Sequence, residues 1–551
     1  MKRINIIMNL CLTLGILSFM SCSEDFLNVS PNDQLQTSDS YKTPKQAEQA
    51  LYGIYSDLRF ISNDEFLMLS EVRSDNAWSN PQPDGLREYS EIGTFRAGSE
   101  ITTFNIVWNE WYKVILDANT AIEKIPTIAF TTQSTKDQFM GEAYFLRGWA
   151  YFELTRLFGN IPIIDRPMIS DEVKTVKQST AVDVYNNIIL PDMAKAEALL
   201  PLTLTLKTAE GASASGLGRA DKIATKAMLG RIYMTMAGFP VNSATAQDSA
   251  EVKLKAVLDF SVANANKFWA TDSTAWKKQW ISENNNLYSI FAIQHRSGGT
   301  GNATTFNMSP ALPLSYTSQR IFGNQIYVEK SLMYEMSKLN AAGKPDSRVY
   351  NTTILTGYAA ETNYVAYTNL FQSLTLTDGT VVANVYSNTM FYKYTNSLRK
   401  RAALGYTVNI ETAMKDYNDW PVNYPVIRLE DVQLMYAEVL LNKRSDVAGA
   451  LAIVNKIRTR AGATPVTVTD VPSVLLAVKN ERRIELCGEG VRWFDLVRWN
   501  EWKKAIENKF DRYPSTNVDK ANIKAGRYLC PIPYTQMIIE PGLYTQNPDY
   551  N

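Results

Sequence analysis

Apolar residues in this chain recur at helical spacing, in blocks long enough to be helices, separated by stretches with no period at all; that alternation is the strongest constraint on its fold. Residues 43–60 open with Thr43-Pro44, an N-cap followed by proline at the first helical position, and put Ala47, Ala50, Leu51, Ile54, Tyr55 and Leu58 on one stripe. Residues 105–125 repeat the pattern with Trp108, Trp111, Tyr112, Ile115, Ala118, Ala121, Ile122 and Ile125, and stop at Pro126. Residues 136–158 carry a wider apolar face, Ala143, Phe145, Leu146, Trp149, Tyr151, Phe152 and Leu157, before the stop Gly159-Asn160. The same spacing predicts helices over 221–237, 248–266, 328–340, 428–443, 446–461 and 473–487. Aromatic side chains so placed belong to a core.

The stripe Val432, Met435, Tyr436, Val439 and Leu440 is followed at once by Val447, Leu451, Val454 and Ile457 with a Gly462 stop. Helix pairs of this size resemble tetratricopeptide repeats, with a period too irregular to define a full array. Between the helices, residues 61–100 and most of 267–425 are rich in Asn, Ser, Thr, Gly, Pro and Tyr. They read as long structured loops on a rigid helical frame, the usual place for binding groups. Tyr364-Val365-Ala366-Tyr367, and Leu374-Thr375-Leu376 before the turn pair Asp378-Gly379, read as short hairpin strands. The fold class is therefore mostly α, a tetratricopeptide-like helical-pair scaffold with long irregular loops and a few short strands.

The N-terminus has a basic start (Lys2, Arg3), an apolar stretch from Ile6 to Met20 and the tetrapeptide Phe19-Met20-Ser21-Cys22. This is a bacterial lipoprotein signal: the stretch is shorter than the roughly 20 residues that span a bilayer, and a small residue precedes the cleavage point. The expected organisation is a signal peptide over 1–21, a tether over 22–42 lipidated at Cys22, and one domain over 43–551. Several acyl chains are needed for stable anchoring, since one gives only marginal binding. Ser23-Glu24-Asp25 resembles the tag that exports lipoproteins of Bacteroidetes to the outside of the outer membrane. With 45% hydrophobic and 20% charged residues the rest has ample material for a large core, and it holds no second long apolar run. Lys plus Arg equals Asp plus Glu at 56 each, and loss of Lys2 and Arg3 leaves 54 against 56, a formal balance of −2; no excess suggests nucleic acid.

Cys487 and Cys530 remain after processing, as a disulfide or as two buried thiols, in no metal-ligand or redox spacing. His295 is the only histidine, so a multi-histidine metal site is excluded, and no nucleophile motif accompanies it. Glu481, Arg482, Arg483, Glu485, Glu489, Arg492 and Asp495 form a charged block interleaved with Trp493, Phe494 and Leu496. Opposite charges three and four apart are expected to pair with one another and to lock the last helices in place.

Several segments together are similar to the SusD/RagB family of outer-membrane glycan-binding lipoproteins, across nearly the whole chain. They are Cys22-Ser-Glu-Asp-Phe-Leu-Asn-Val-Ser-Pro31, Glu142-Ala-Tyr-Phe-Leu-Arg-Gly-Trp-Ala-Tyr-Phe152 leading into Phe158-Gly159-Asn160-Ile161-Pro162, and Gly218-Arg219-Ala220-Asp221-Lys222. Arg428-Leu429 to Ala437-Glu438, Val454-Asn455 to Gly462, Glu481-Arg482-Arg483 to Leu496, Tyr528-Leu529-Cys530-Pro531-Ile532-Pro533 and Gln546-Asn547-Pro548 continue the pattern. Two departures stand out: Gly488 where a larger residue is usual, and Asp549 in place of glycine.

The resemblance implies capture of an oligosaccharide at the cell surface and its delivery to a SusC-like TonB-dependent transporter, with no covalent chemistry and no cofactor. The helical repeats would face the transporter. Neutral glycans are bound by aromatic faces on sugar rings and by polar groups on hydroxyls. By position, Asp75, Trp78 and Asn80 resemble the place of a stacking aromatic with polar partners, and Phe306, Tyr316 and Tyr327, with His295 and Arg296, are further contacts. Trp78→Ala is expected to weaken binding with the melting temperature nearly unchanged. Competing readings are a surface glycoside hydrolase, which needs two carboxylates roughly 5 to 10 Å apart across a cleft, and a structural transporter subunit or one handling peptide cargo. The particular glycan, the state of the two cysteines and a calcium ion in the Asn-rich loops are left open.

Overall fold

The computed structural model describes residues 41–79, 87–202, 206–213, 218–281, 287–296, 326–355, 421–513 and 518–550, with short pieces at 374–375, 381–382, 389–391, 393–394 and 404–405. The signal segment, Cys22 and the run Tyr364–Tyr367 lie outside these residues.

The helical blocks are α1 (Pro44–Asp57), α2 (Thr102–Lys124), α3 (Gln133–Phe158), α4 (Leu190–Leu199), α5 (Lys222–Ala237), α6 (Ala246–Ala263), α7 (Lys330–Ser337), α8 (Leu429–Arg444), α9 (Val447–Arg460), α10 (Val471–Glu485), α11 (Arg492–Arg498) and α12 (Trp502–Arg512). Thr43 caps α1 as its sequence requires: its Oγ1 accepts from Gln46 N at 3.3 Å while Gln46 Oε1 accepts from Thr43 N at 3.0 Å. The Gly159 stop of α3 has φ +72°, and a Cβ there would lie 2.7 Å from Leu529 Cδ1, so both conformation and space demand glycine. Consecutive helices pack on one another from α1 through α6, α6 packs on α8, and α8, α9 and α10 pack mutually. Helix α3, between α2 and α4, is buried nearly all round, including Phe145, Trp149 and Phe152. One continuous core runs from Ala47 to Ile532, and α8, α9 and α10 enclose a smaller one around Leu434, Leu441, Val454, Ile457, Val474 and Val478.

Among the five antiparallel strand pairs of the described residues, β1 (Ala77–Ser79) pairs with β3 (Ile326–Val328), and β2 (Ser289–Ile293) with β4 (Tyr424–Arg428). Leu374–Thr375 and Val381–Val382 also pair antiparallel, on either side of Asp378-Gly379, as the turn signal predicts. Residues 61–100, expected to be a loop, are largely regular. They contain helical turns over Asp64–Val72, the strand β1 and a helix Arg87–Gly93, with Leu67, Met68, Leu69, Val72 and Ile92 buried. Each piece is too short for its period to be seen against the polar residues around it. The helix expected from 328 begins at Lys330, because Ile326–Val328 is a strand.

The charged block is buried and paired, but the pairs are not within the block's own helical turns. Arg348 reaches Glu481 at 2.6 Å, Glu485 at 2.7 Å and Asp346 at 2.6 Å; Arg428 reaches Glu485 at 3.0 Å, Glu430 at 2.8 Å and Glu489 at 2.8 Å. Arg460 adds Glu430 and Glu485, and Lys393 adds Glu489 at 2.7 Å. Inside the block, Arg482 holds Asp495 at 2.9 Å, thirteen residues along. Apart from Asp495 with Arg498 just past the block, at 2.9 Å, pairs at three and four give way because burial of this face hands its charges to partners from distant segments. At the departures, Gly488 has φ +77° and Asp549 φ +69°, both left-handed; Asp549 Oδ2 accepts from Gly526 N at 2.7 Å, a bond glycine would lack. Cys487 and Cys530 are free, buried thiols.

Candidate functional site

The register of β1 and β3 sets Trp78 directly opposite Tyr327, with Ala77 opposite Val328 and Ser79 opposite Ile326. Opposite residues of an antiparallel pair share a face. The ladder continues one step, Glu329 N donating to Asn76 O at 2.8 Å. Trp78 stacks on Tyr513 with centroids 4.1 Å apart and planes 12° from parallel. Lys330 Nζ sits 4.5 Å from the Tyr513 centroid, and Lys330 N donates to Tyr513 Oη at 3.0 Å. Trp78 is only 3% exposed and belongs to the main core, whereas Tyr327 is half-buried at its margin.

Behind the aromatic pair the backbone of residues 72–77 is gripped by cations. Arg492 binds both carboxylate oxygens of Asp75, at 2.7 and 3.0 Å. Arg483 donates to the Asp75 carbonyl and, at 3.1 Å, to Asn76 Oδ1. Burial pushes the Asp75 carboxyl up, but Arg483 and Arg492 outweigh it and hold it well below the usual carboxylate range. Lys509, fully buried, donates to the carbonyls of Val72 at 3.2 Å, Ser74 at 2.6 Å and Ala77 at 3.4 Å; burial brings its pKa down to about 7. Glu329 receives Arg512 Nε at 2.5 Å.

The structure thus brings Asp75, Trp78 and Tyr327 together and gives them different positions. Asp75 is buried and bonded through both oxygens. Trp78 is a core residue, so the expectation that its loss leaves the melting temperature unchanged is corrected: truncating a buried aromatic costs about 3–5 kcal/mol. His295 and Arg296 follow β2 in the other strand pair. His295 is buried, its N donating to Asn423 Oδ1 at 2.9 Å and its Nε2 lying 3.0 Å from Ser62 Oγ, and Arg296 is exposed. Asn80, Phe306 and Tyr316 lie outside the described residues. Sequence reasoning missed Tyr513 and Lys330. The stripe Trp502, Ile506, Phe510 and Tyr513 is amphipathic at spacings of four, four and three and would have placed Tyr513 against a core.

Among the described residues, no group of three or more His, Cys, Asp or Glu side chains is arranged to hold a metal ion, and no helix is long and apolar enough to cross a membrane.

Residues 261–550 match the family model described as "SusD family", and residues 25–234 match one described as "Starch-binding associating with outer membrane". The first spans more than half of the chain, and the protein belongs to the SusD family. Among its relatives, SusD-like protein P38 of Formosa agariphila is 26% identical over 527 residues, covering 92% of each chain. A SusD-like protein of Bacteroides ovatus is 23% identical over 88% of this chain and 80% of its own. The fold matches a SusD homolog from Bacteroides thetaiotaomicron with a TM-score of 0.71 at 20% identity, over 93% of this chain and 98% of that one. It also matches a laminarin-binding SusD-like protein with a TM-score of 0.67 at 22% identity, over 93% of this chain and 100% of that one.

Proposed function

We propose that this protein binds a neutral oligosaccharide or polysaccharide at the outer membrane, without cleaving it, and passes it to a SusC-like TonB-dependent transporter. The observation that carries the reading is the ring of Tyr327, half-buried and fixed across the strand pair from Trp78. A ring held by backbone pairing gives a sugar face a ready surface at little cost in side-chain entropy. Membership of the SusD family supports the same reading, as do the description of the matched model as starch-binding and the laminarin named for one structural neighbour.

In this reading Tyr327 is the contact. Trp78 and Tyr513 form the stacked support behind it, and Asp75 with Arg483 and Arg492 fixes the strand. Asn80, Phe306, Tyr316, His295 and Arg296 are further candidate contacts from the flanking segments. Lipidation at Cys22 holds the protein to the outer membrane, exposed at the cell surface.

The test is affinity electrophoresis through gels containing plant, host and microbial polysaccharides, with reducing ends assayed after prolonged incubation. Retardation by one glycan with no new reducing ends is expected. New reducing ends would make the protein a glycosidase, and migration unaltered by every glycan would leave a structural subunit or one with peptide cargo.

A further inference from the structure

A cavity of about 380 Å³ opens where the C-terminal end of α3 meets residues 180–185, the segment after α5, α11 and the last stretches of the chain. Three polar atoms on the side chains lining it have no hydrogen-bond partner among the described residues. Tyr185 is 2% exposed, lies tilted at 57° to the ring of Phe152, and bonds nothing through its hydroxyl. Arg156 donates to Glu153 through Nε and Nη2, each at 2.7 Å, and leaves Nη1 unused. Asn547 donates through Nδ2 to the carbonyls of Phe158 at 2.8 Å and Cys530 at 2.7 Å, leaving Oδ1 unused. The three side chains are otherwise buried, and the atoms they leave unbonded are accessible from the cavity, so they are free to bond an occupant. The space is that of a small-ligand pocket, many times the roughly 30 Å³ share of one water.

The chemistry of the walls narrows the occupant. Glu153 neutralises Arg156, and Arg498, also on the wall, is neutralised by Glu438 at 2.7 Å and Asp495 at 2.9 Å. The cavity therefore offers a donor, an acceptor and a hydroxyl with no net charge to satisfy. Phe239 and Tyr528, edge to face at 4.9 Å, supply aromatic surface alongside. Apolar ring faces beside a few hydrogen-bonding groups of both senses suit a hydroxylated ring.

We propose that this cavity is a binding site for a neutral mono- or disaccharide, separate from the β1–β3 surface and too small to seat a polymer. It does not depend on Tyr327, so the two sites stand or fall separately.

The test is saturation-transfer NMR and calorimetry on the purified protein with glucose, galactose, mannose, xylose and their disaccharides, and with glucuronate and phenol as counter-probes. At least one neutral sugar binds. Tyr185→Phe keeps the ring and removes the hydroxyl, and weakens binding about 3- to 10-fold, the worth of one neutral hydrogen bond. Ala181→Phe, from a half-buried wall residue, plugs the cavity and abolishes binding; if that variant fails to fold, Val182→Trp at the exposed rim serves instead. Tyr327→Ala leaves this binding unchanged. Binding of no neutral sugar, a preference for glucuronate or phenol, or binding that survives the plug would each overturn the proposal.

Discussion

At the level of single residues, burial separates side chains that a list of aromatic and charged residues treats alike. Tyr327 is the member of the cross-strand pair with ring surface left to offer. Tyr327→Ala is expected to weaken glycan retardation at least about tenfold while costing little stability, a size typical of an aromatic anchor at an interface. Equal retardation of variant and parent would remove this residue from the site. Glu71 is a different case. Burial raises its carboxyl to about 7, against hydrogen bonds from Asn76 Nδ2 at 3.1 Å and Gly490 N at 2.9 Å that favour the ion. A carboxyl whose folded pKa lies above its unfolded value near 4.5 contributes fully below pH 4.5 and loses that contribution as pH rises to 7. Glu71→Gln, which cannot ionise, should therefore gain on the parent between pH 5 and pH 8, by about 3 kcal/mol at most from a shift of this size. Denaturant midpoints at the two pH values check it; a difference between variant and parent that does not change with pH would refute the assignment. Neither environment was legible in the sequence, because Glu71 and Trp78 owe their burial to α11, α12 and residues around 490, more than four hundred positions away. Asp549 was legible: the sequence marked it as standing where glycine is usual, and its φ is +69°.

At the level of elements, the long helices α1, α2, α3, α5, α6, α8, α9 and α10 were readable to within a few residues, because each carries apolar residues at a helical spacing that shows locally, even where, as in α3, nearly the whole helix is buried. The short elements over Asp64–Gly93 were not, since they are held by partners rather than by their own period. The charged end of α10 shows the same limit: the types were right and the partners were not. Arg348, 1% exposed, joins Glu481 and Glu485 of α10 to Asp346, and Asp346 receives its only described cation from Arg348. Glu481 keeps Arg458 and Glu485 keeps Arg428 and Arg460 if Arg348 is lost, so the orphan is Asp346. Arg348→Met should cost about 3–5 kcal/mol, the usual penalty for leaving a buried charge unpaired. Adding Asp346→Asn should recover part of the loss. A single variant within about 1 kcal/mol of the parent, or a double variant no better than the single, would show that the pair is not coupled.

At the level of the whole molecule, residues 71–78 are tied to parts of the chain that lie far away in sequence. Gly490 N donates to Glu71, Arg492 clasps Asp75 and Lys509 holds the carbonyls of Val72, Ser74 and Ala77. Arg73 extends the tie to the C-terminal segment. It donates to Cys530 Sγ at 3.0 Å and to the carbonyls of Arg527 at 2.6 Å and Leu529 at 3.0 Å, and lies 4.4 Å from the Trp493 ring centroid. Cys530 N in turn donates to Leu157 O at 2.7 Å near the end of α3, and Asn547 bridges the carbonyls of Phe158 and Cys530. The same junction that backs the β1–β3 aromatic pair thus also builds a wall of the cavity beside α3. If it is one cooperative unit, the segments around it open together. Arg73→Met removes three hydrogen bonds from a charged donor, each typically worth about 1.5–3 kcal/mol, and strands the carbonyl of Arg527. Hydrogen exchange should then accelerate in parallel over residues 68–79, 526–532 and the last turn of α3, with α6 and α9 unaffected. Acceleration confined to residues 68–79 would mean that the strand pair and the C-terminal segment are held independently, and that the binding surface and the cavity share no mechanical link.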